Sequence, residues 1–150
     1  MTDSIIAVAG TLLGGLLTFL AGDRRARMER ERAEFVDAVN GVLAAFVAFR
    51  EQQYLKIADR RQQIADTRES RQARYGARSA LTTAIDQMHT ATADRQLLDL
   101  GDDARRVAVA LGDAAPADGP VDETAVTEIG EQARQIHTAL RNAAHHALHH

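Results

Sequence analysis

Four histidines near the end of the chain, His145, His146, His149 and His150, form two pairs spaced four residues apart. On a helix such a pair shares one face, and two imidazoles so placed can hold a divalent metal without cysteine. A stable site wants further fixed ligands, and the surrounding sequence supplies none. A solvated Ala/His terminus accounts for these residues without a metal. His89 and His137 stand alone on helical sequence and fit surface or half-buried structural roles. Arg60, Arg61, Arg68, Arg71, Arg74 and Arg78 form the second candidate, a stripe able to meet phosphates. Asp59, Asp66 and Glu69 interleave with them, as in an exposed helix laced by ion pairs. Tyr75 is the one aromatic among them that could stack on a base. Asp102-Asp103 followed by Arg105-Arg106 is the pattern of locally paired surface charge, and Asp86, Asp94 and Asp99 have no spacing that dictates a catalytic pair.

No nucleophile elbow, phosphate loop, H-E-x-x-H or dinucleotide fingerprint occurs. The chain has no cysteine, which removes thiol chemistry, disulfides and Cys-based zinc sites. The expectation is a protein that is not an enzyme, with no cofactor, no metal and no small-molecule substrate. Its residues should act by position and contact.

The element that would set position is the uncharged run from Ile5 to Ala21, followed at once by Arg24, Arg25, Arg27, Arg30 and Arg32. A helix from Ser4 to Gly22 would cover about 28 Å, close to the ~30 Å of a bilayer core. Its large apolar side chains favour insertion by on the order of 4 kcal/mol. A cleaved signal would carry basic residues before the run, whereas here Asp3 precedes it and the arginines follow. The expectation is an uncleaved single span, residues 1–22, in the cell inner membrane. The positive-inside rule places the N-terminus outside and the C-terminal region in the cytoplasm, with Arg24, Arg25 and Arg27 as the membrane-interface anchor. Gly10, Gly14, Thr18 and Gly22 fall four apart, the small-residue spacing that lets transmembrane helices pack closely.

Beyond the span the sequence favours helices, since β-branched and aromatic residues become scarce after Val47. No proline interrupts it before Pro116, so the span should continue into a long cytoplasmic helix. Phe35, Val39, Val42, Phe46 and, more loosely, Gln53, Ile57 and Ile64 recur at threes and fours, with Val36, Leu43 and Val47 widening the stripe. A turn is expected between Asp59 and Ser79, with Gly76 and Ser79 the best stop and restart signals. A second helix follows, with Leu81, Ile85, Met88, Thr92, Leu97, Leu98, Leu100, Ala104, Val107, Ala108 and Leu111 on its apolar side. Residues 23–111 would thus form a long helix and helical hairpin. Residues 112–121 hold both prolines and read as a surface loop. Asp122 can cap a C-terminal amphipathic helix over 122–150. The fold class is all-α: a transmembrane helix continuing into a long helix, with an antiparallel hairpin or three-helix bundle.

The formal charge of −3 hides an asymmetry. From Asp23 to Arg78 there are 13 basic and 9 acidic residues; from Ser79 onward there are 5 basic and 11 acidic. Antiparallel packing of the two halves would satisfy that pattern without an outside partner. The core would be lean, because many stripe positions are Ala, and oligomerisation is the natural way to bury more.

The opening Ser4-Ile-Ile-Ala-Val-Ala-Gly-Thr-Leu-Leu-Gly14, followed by Arg24-Arg-Ala-Arg27 and a long helix, resembles short actinobacterial proteins of the KilB type. The resemblance covers about the first 50 residues; beyond them only helical character and length agree. It implies a membrane protein associated with conjugative plasmids and their spread, without established catalytic activity. The partners to expect are the membrane, a second copy of the chain, or another membrane or plasmid-transfer protein; nucleic acid is not expected to be one. Two alternatives stay open: a DNA-binding adaptor acting through the arginine-rich helix, and a holin-like oligomer acting through the glycine-rich run.

Overall fold

The computed structural model describes the backbone of residues 2–149 and the side chains of residues 22–149. Among the described residues there are four helices: α1 (Thr2–Arg61), α2 (Arg68–Ala91), α3 (Arg95–Asp113) and α4 (Glu123–His149). The chain divides into two compact units, Met1–Glu34 and Phe35–His150. The all-α class is as the composition implies. In place of a hairpin or three-helix bundle, however, the second unit is built from four helical segments.

The extra segment arises at Thr92–Asp94, where one continuous helix was expected. Thr92 is extended, and its hydroxyl oxygen accepts from the Asp94 N–H at 3.1 Å. Asp94 Oδ1 then accepts from the N–H groups of Gln96 and Leu97 at 2.9 and 3.3 Å, satisfying donors that a helix start leaves open. The apolar spacing is also broken here. Thr92 to Leu97 is one residue too long for a single face.

The first turn lies earlier than Gly76. α1 ends at Arg61, Gln63 takes a left-handed φ of 58°, and the Ile64 N–H returns to the Asp59 carbonyl at 2.8 Å. Thr67 and Ser70 exchange side-chain and backbone hydrogen bonds, both at 3.0 Å, and this capping box starts α2. Gly76 and Ser79 are exposed residues inside α2.

Contacts fix the directions of the segments in the second unit. Gly41 of α1 faces Ala84 of α2, while the end of α1 and the start of α2 line one cleft, so the two run antiparallel. Gly101, near the start of α3, lies against Met88 and Ile85 at the end of α2. Tyr54 of α1 meets Gly130 in the first half of α4, and Phe46 meets His137 further on. The order is up, down, up, down. The main core gathers Val39, Val42, Phe46, Phe49, Leu81, Ile85, Met88, Leu97, Val107 and Leu140, all nearly inaccessible. A smaller cluster joins Ile57, Leu111, Ala115 and Val126.

The loop between α3 and α4 is tied down at both ends. The Asp122 N–H donates to the Ala114 carbonyl at 2.9 Å, and Asp122 Oδ1 caps α4 through the Ala125 N–H at 3.0 Å. Ala114 and Ala115 are buried, and Gly112 belongs to α3. Gly119 alone among the described glycines takes a left-handed φ, 106°, which a side chain would resist.

Candidate functional site

Between Phe35 and Ile57, α1 buries one side and exposes the other, which mixes apolar and polar residues. Val39, Val42, Phe46, Phe49 and Ile57 are buried, and Phe35 is half-buried against the same core. Most of the stripe expected to need a partner is therefore covered by the chain's own α2, α3 and α4; Ile64, beyond the end of α1 at Arg61, is 47 % exposed and does not belong to it. At 100° per residue, Asn40, Ala44, Val47, Glu51 and Leu55 fall on the far side, and all five are exposed. Val47 keeps 48 % and Leu55 51 % of its surface in solvent.

Val47 was expected to widen the buried stripe. It follows Phe46, whose side chain points into the core, and one step along a helix turns about 100° away. Val36, Val47 and Ala58 recur at eleven-residue intervals. That period stays almost in phase with a straight helix, so these positions form a line along α1.

Lower in number, Gly22, Arg24, Arg25 and Arg27 are exposed on α1. Arg27 Nε donates to Glu31 Oε1 at 2.9 Å, a surface pair of small energetic weight. Gly10, Gly14 and Thr18, and with them the expected span over 5–21, lie outside the residues whose side chains are described. Among the described residues no helix is long and apolar enough to cross a membrane.

The six arginines of the basic stripe do not stay together. Arg60, Arg71, Arg74 and Arg78 converge with Lys56 on one cleft between α1, α2 and the end of α3. Arg61 turns instead to α4 and grips Glu123 with both arms of its guanidinium, at 2.9 and 2.5 Å. That pairing raises the Arg61 pKa and lowers the Glu123 pKa, in each case chiefly through the hydrogen bond between them. Arg68 is exposed on the first turn of α2. Asp66 accepts from Arg74 at 2.5 Å and lies 3.8 Å from Arg71. Arg74, followed by Ser70, holds the Asp66 carboxyl below the usual range against the opposing effect of burial. Asp102 and Asp103 pair with Arg105 and Arg106 at 3.0 and 2.6 Å, as their spacing implies.

Lys56, the only lysine, was not singled out in the sequence. Its ammonium donates to the Gly112 carbonyl at 2.7 Å and joins α1 to the end of α3. Burial lowers its pKa, and the neighbouring Arg74 charge adds to the effect. Its place beside the buried Ile57 was the one available signal. His145 and His149 lie ring against ring, with centroids 4.4 Å apart, and are exposed. Among the described residues no group of three or more potential ligands converges on a metal site.

The second unit is thus an antiparallel helical bundle with exposed Val47 and Leu55 on the outer face of α1 and a cationic cleft. Residues 36–148 match the model of the KilB plasmid transfer protein family. The chain belongs to that family, and its role lies in plasmid transfer. The match covers the bundle, whereas the likeness read from the sequence rested on the first 50 residues; the two overlap only over 36–50. No curated protein and no solved structure matches the chain.

Proposed function

We propose that this protein serves plasmid transfer as a non-catalytic, membrane-anchored scaffold. Its apolar N-terminal run holds it in the inner membrane with the N-terminus outside. Its bundle self-associates in the cytoplasm and presents a surface to another transfer protein. The carrying observation is the outer face of α1, where Ala44, Val47 and Leu55 stay exposed beside Asn40 and Glu51 while the opposite face is used by the core. Two such faces from separate copies would bury what one chain leaves wet. Support for anchoring comes from the sequence of 5–21 and its arginine flank.

The absence of native cysteine allows a direct test. Val47→Cys, Leu55→Cys and, as a control on the exposed side of α4, Glu128→Cys are expressed separately and oxidised in intact membranes. Disulfide-linked dimers from the first two and not from the third support the scaffold. Equal crosslinking at all three positions, or recovery of the chain outside the membrane fraction, overturns it.

A further inference from the structure

The cleft bounded by α1, α2 and the end of α3 has a volume of about 610 Å³, within the range of small-ligand sites. Five cationic side chains and three carboxylates line it, in a protein whose overall charge is −3. Asp66 is taken up by Arg71 and Arg74. Among the described residues, Lys56, Arg60 and Arg78 form no ion pair. Arg60 donates from Nη2 to the Gly119 carbonyl at 3.1 Å, yet its Nε–H is buried and has no acceptor. A buried guanidinium donor is costly until an oxygen acceptor meets it; Arg50 Nε, outside the cleft, is in the same state, and Arg60 is the one of the two that lines the cleft. Beside these cations the wall is apolar, with Phe49, Ile64 and Val109, and Tyr75 stands at the cleft with 68 % of its surface free. A charged group alone would use only part of this lining.

We propose that the cleft binds a phosphomonoester carried on a flat organic body. That chemistry is shared by a free 5′-mononucleotide and by the phosphorylated 5′ end of a DNA strand. The phosphate is met by Lys56, Arg60 and Arg78, which offer the charge and forked donors that phosphate oxygens accept. Tyr75 supplies a face on which the body stacks. Asp59 and Asp113, which also line the cleft, are acceptors for N–H or O–H groups of the body. The site joins α1, α2 and α3 and is separate from the outer face of α1. It does not depend on the scaffold proposal.

The test is calorimetric titration of the full chain in nonionic detergent at low salt. The probes are thymidine 5′-monophosphate, thymidine, inorganic phosphate, and a short dT strand bearing a 5′ phosphate or a 5′ hydroxyl. Thymidine monophosphate should bind at one site per chain, and thymidine should not. Arg60→Gln and Arg78→Gln should each weaken binding about tenfold or more, the loss of a charge-assisted hydrogen bond. Tyr75→Ala should weaken it roughly five- to tenfold while leaving inorganic phosphate unaffected. Arg78 and Tyr75 are exposed, so these two variants report on the ligand even if Arg60→Gln fails to fold. Tighter binding of the 5′-phosphorylated strand than of the monophosphate identifies a strand end as the source, and weaker binding a free nucleotide. The proposal is overturned if thymidine monophosphate fails to bind, if inorganic phosphate binds as well as it does, or if the variants change nothing. It is equally overturned if both strands bind more tightly than the monophosphate and the 5′-hydroxyl strand equals the 5′-phosphorylated one, which would mark a backbone track.

Discussion

The imidazole of His137 on α4 lies against the Phe46 ring of α1, with centroids 6.5 Å apart and planes inclined by 27°. Arg50 covers the same Phe46, its guanidinium carbon 5.5 Å from the ring centroid. Desolvation lowers the His137 pKa, and the charges of Arg50 and Arg141 lower it further. The unfolded chain therefore takes up this proton first as pH falls. Stability from neutral His137 is complete above about pH 6.5 and is lost as pH falls toward the depressed folded value. The melting temperature should drop as pH falls below about 6.5, and His137→Gln should show a smaller drop. Thermal melts across that pH decide it, and equal slopes in both proteins would remove His137 as the cause.

The contrast between the two sides of α1 predicts a separation of effects. Phe46→Ala removes a fully buried ring and should cost about 3 to 5 kcal/mol in denaturant unfolding. Leu55→Glu, on the outer face, should change stability by less than about 0.5 kcal/mol. It should nevertheless lower the oligomeric mass measured by sedimentation. A variant at Leu55 that unfolds the bundle would contradict the assignment of faces.

Two backbone positions should respond in opposite directions. Asp94→Ala removes the acceptor for two N–H groups at the start of α3 and should destabilise by about 1 kcal/mol. Gly76 lies in the middle of α2 with open space where a side chain would go. Gly76→Ala should therefore stabilise by roughly 0.5 to 1 kcal/mol. Urea titrations of both variants check the assignments.

At Gly130 a side chain would be unwelcome, because an added Cβ would lie 2.7 Å from the Tyr54 hydroxyl. Gly130→Val should cost about 1 to 3 kcal/mol as α4 moves off α1. Tyr54→Phe in the same chain should recover part of that loss by removing the oxygen. Absence of any recovery would place the strain elsewhere.

These particulars show which features local sequence could reveal. Val39, Val42, Phe46 and Ile57 were legible because large apolar residues at helical spacing have few other uses. Asp122 was legible as a cap because it precedes a periodic run. The break at Thr92–Asp94 was hidden by Leu97, Leu98 and Leu100, which supply an apolar face in either of two phases. The turn at Gln63 uses a left-handed residue that is not glycine, so the usual punctuation was missing. Val47 looked like core because hydrophobicity does not state which of two opposite faces is covered. The cationic cleft lies furthest from local pattern. Its arginines come from both sides of the 62–67 turn, and Lys56 reaches it only once α3 has docked.

The alternating course of the bundle also bears on how it is made. Its connections are short, residues 62–67, 92–94 and 114–122, so each helix meets its sequence neighbour soon after that neighbour exists. Low contact order of this kind permits folding on a microsecond to millisecond scale. A ribosome adds only about 5 to 20 residues per second, so each hairpin can close while the next helix is still being synthesised. The α1–α2 hairpin can then form before α4 exists, so the side of α1 that carries Phe46 and Tyr54 is completed last, when α4 docks through His137 and Gly130.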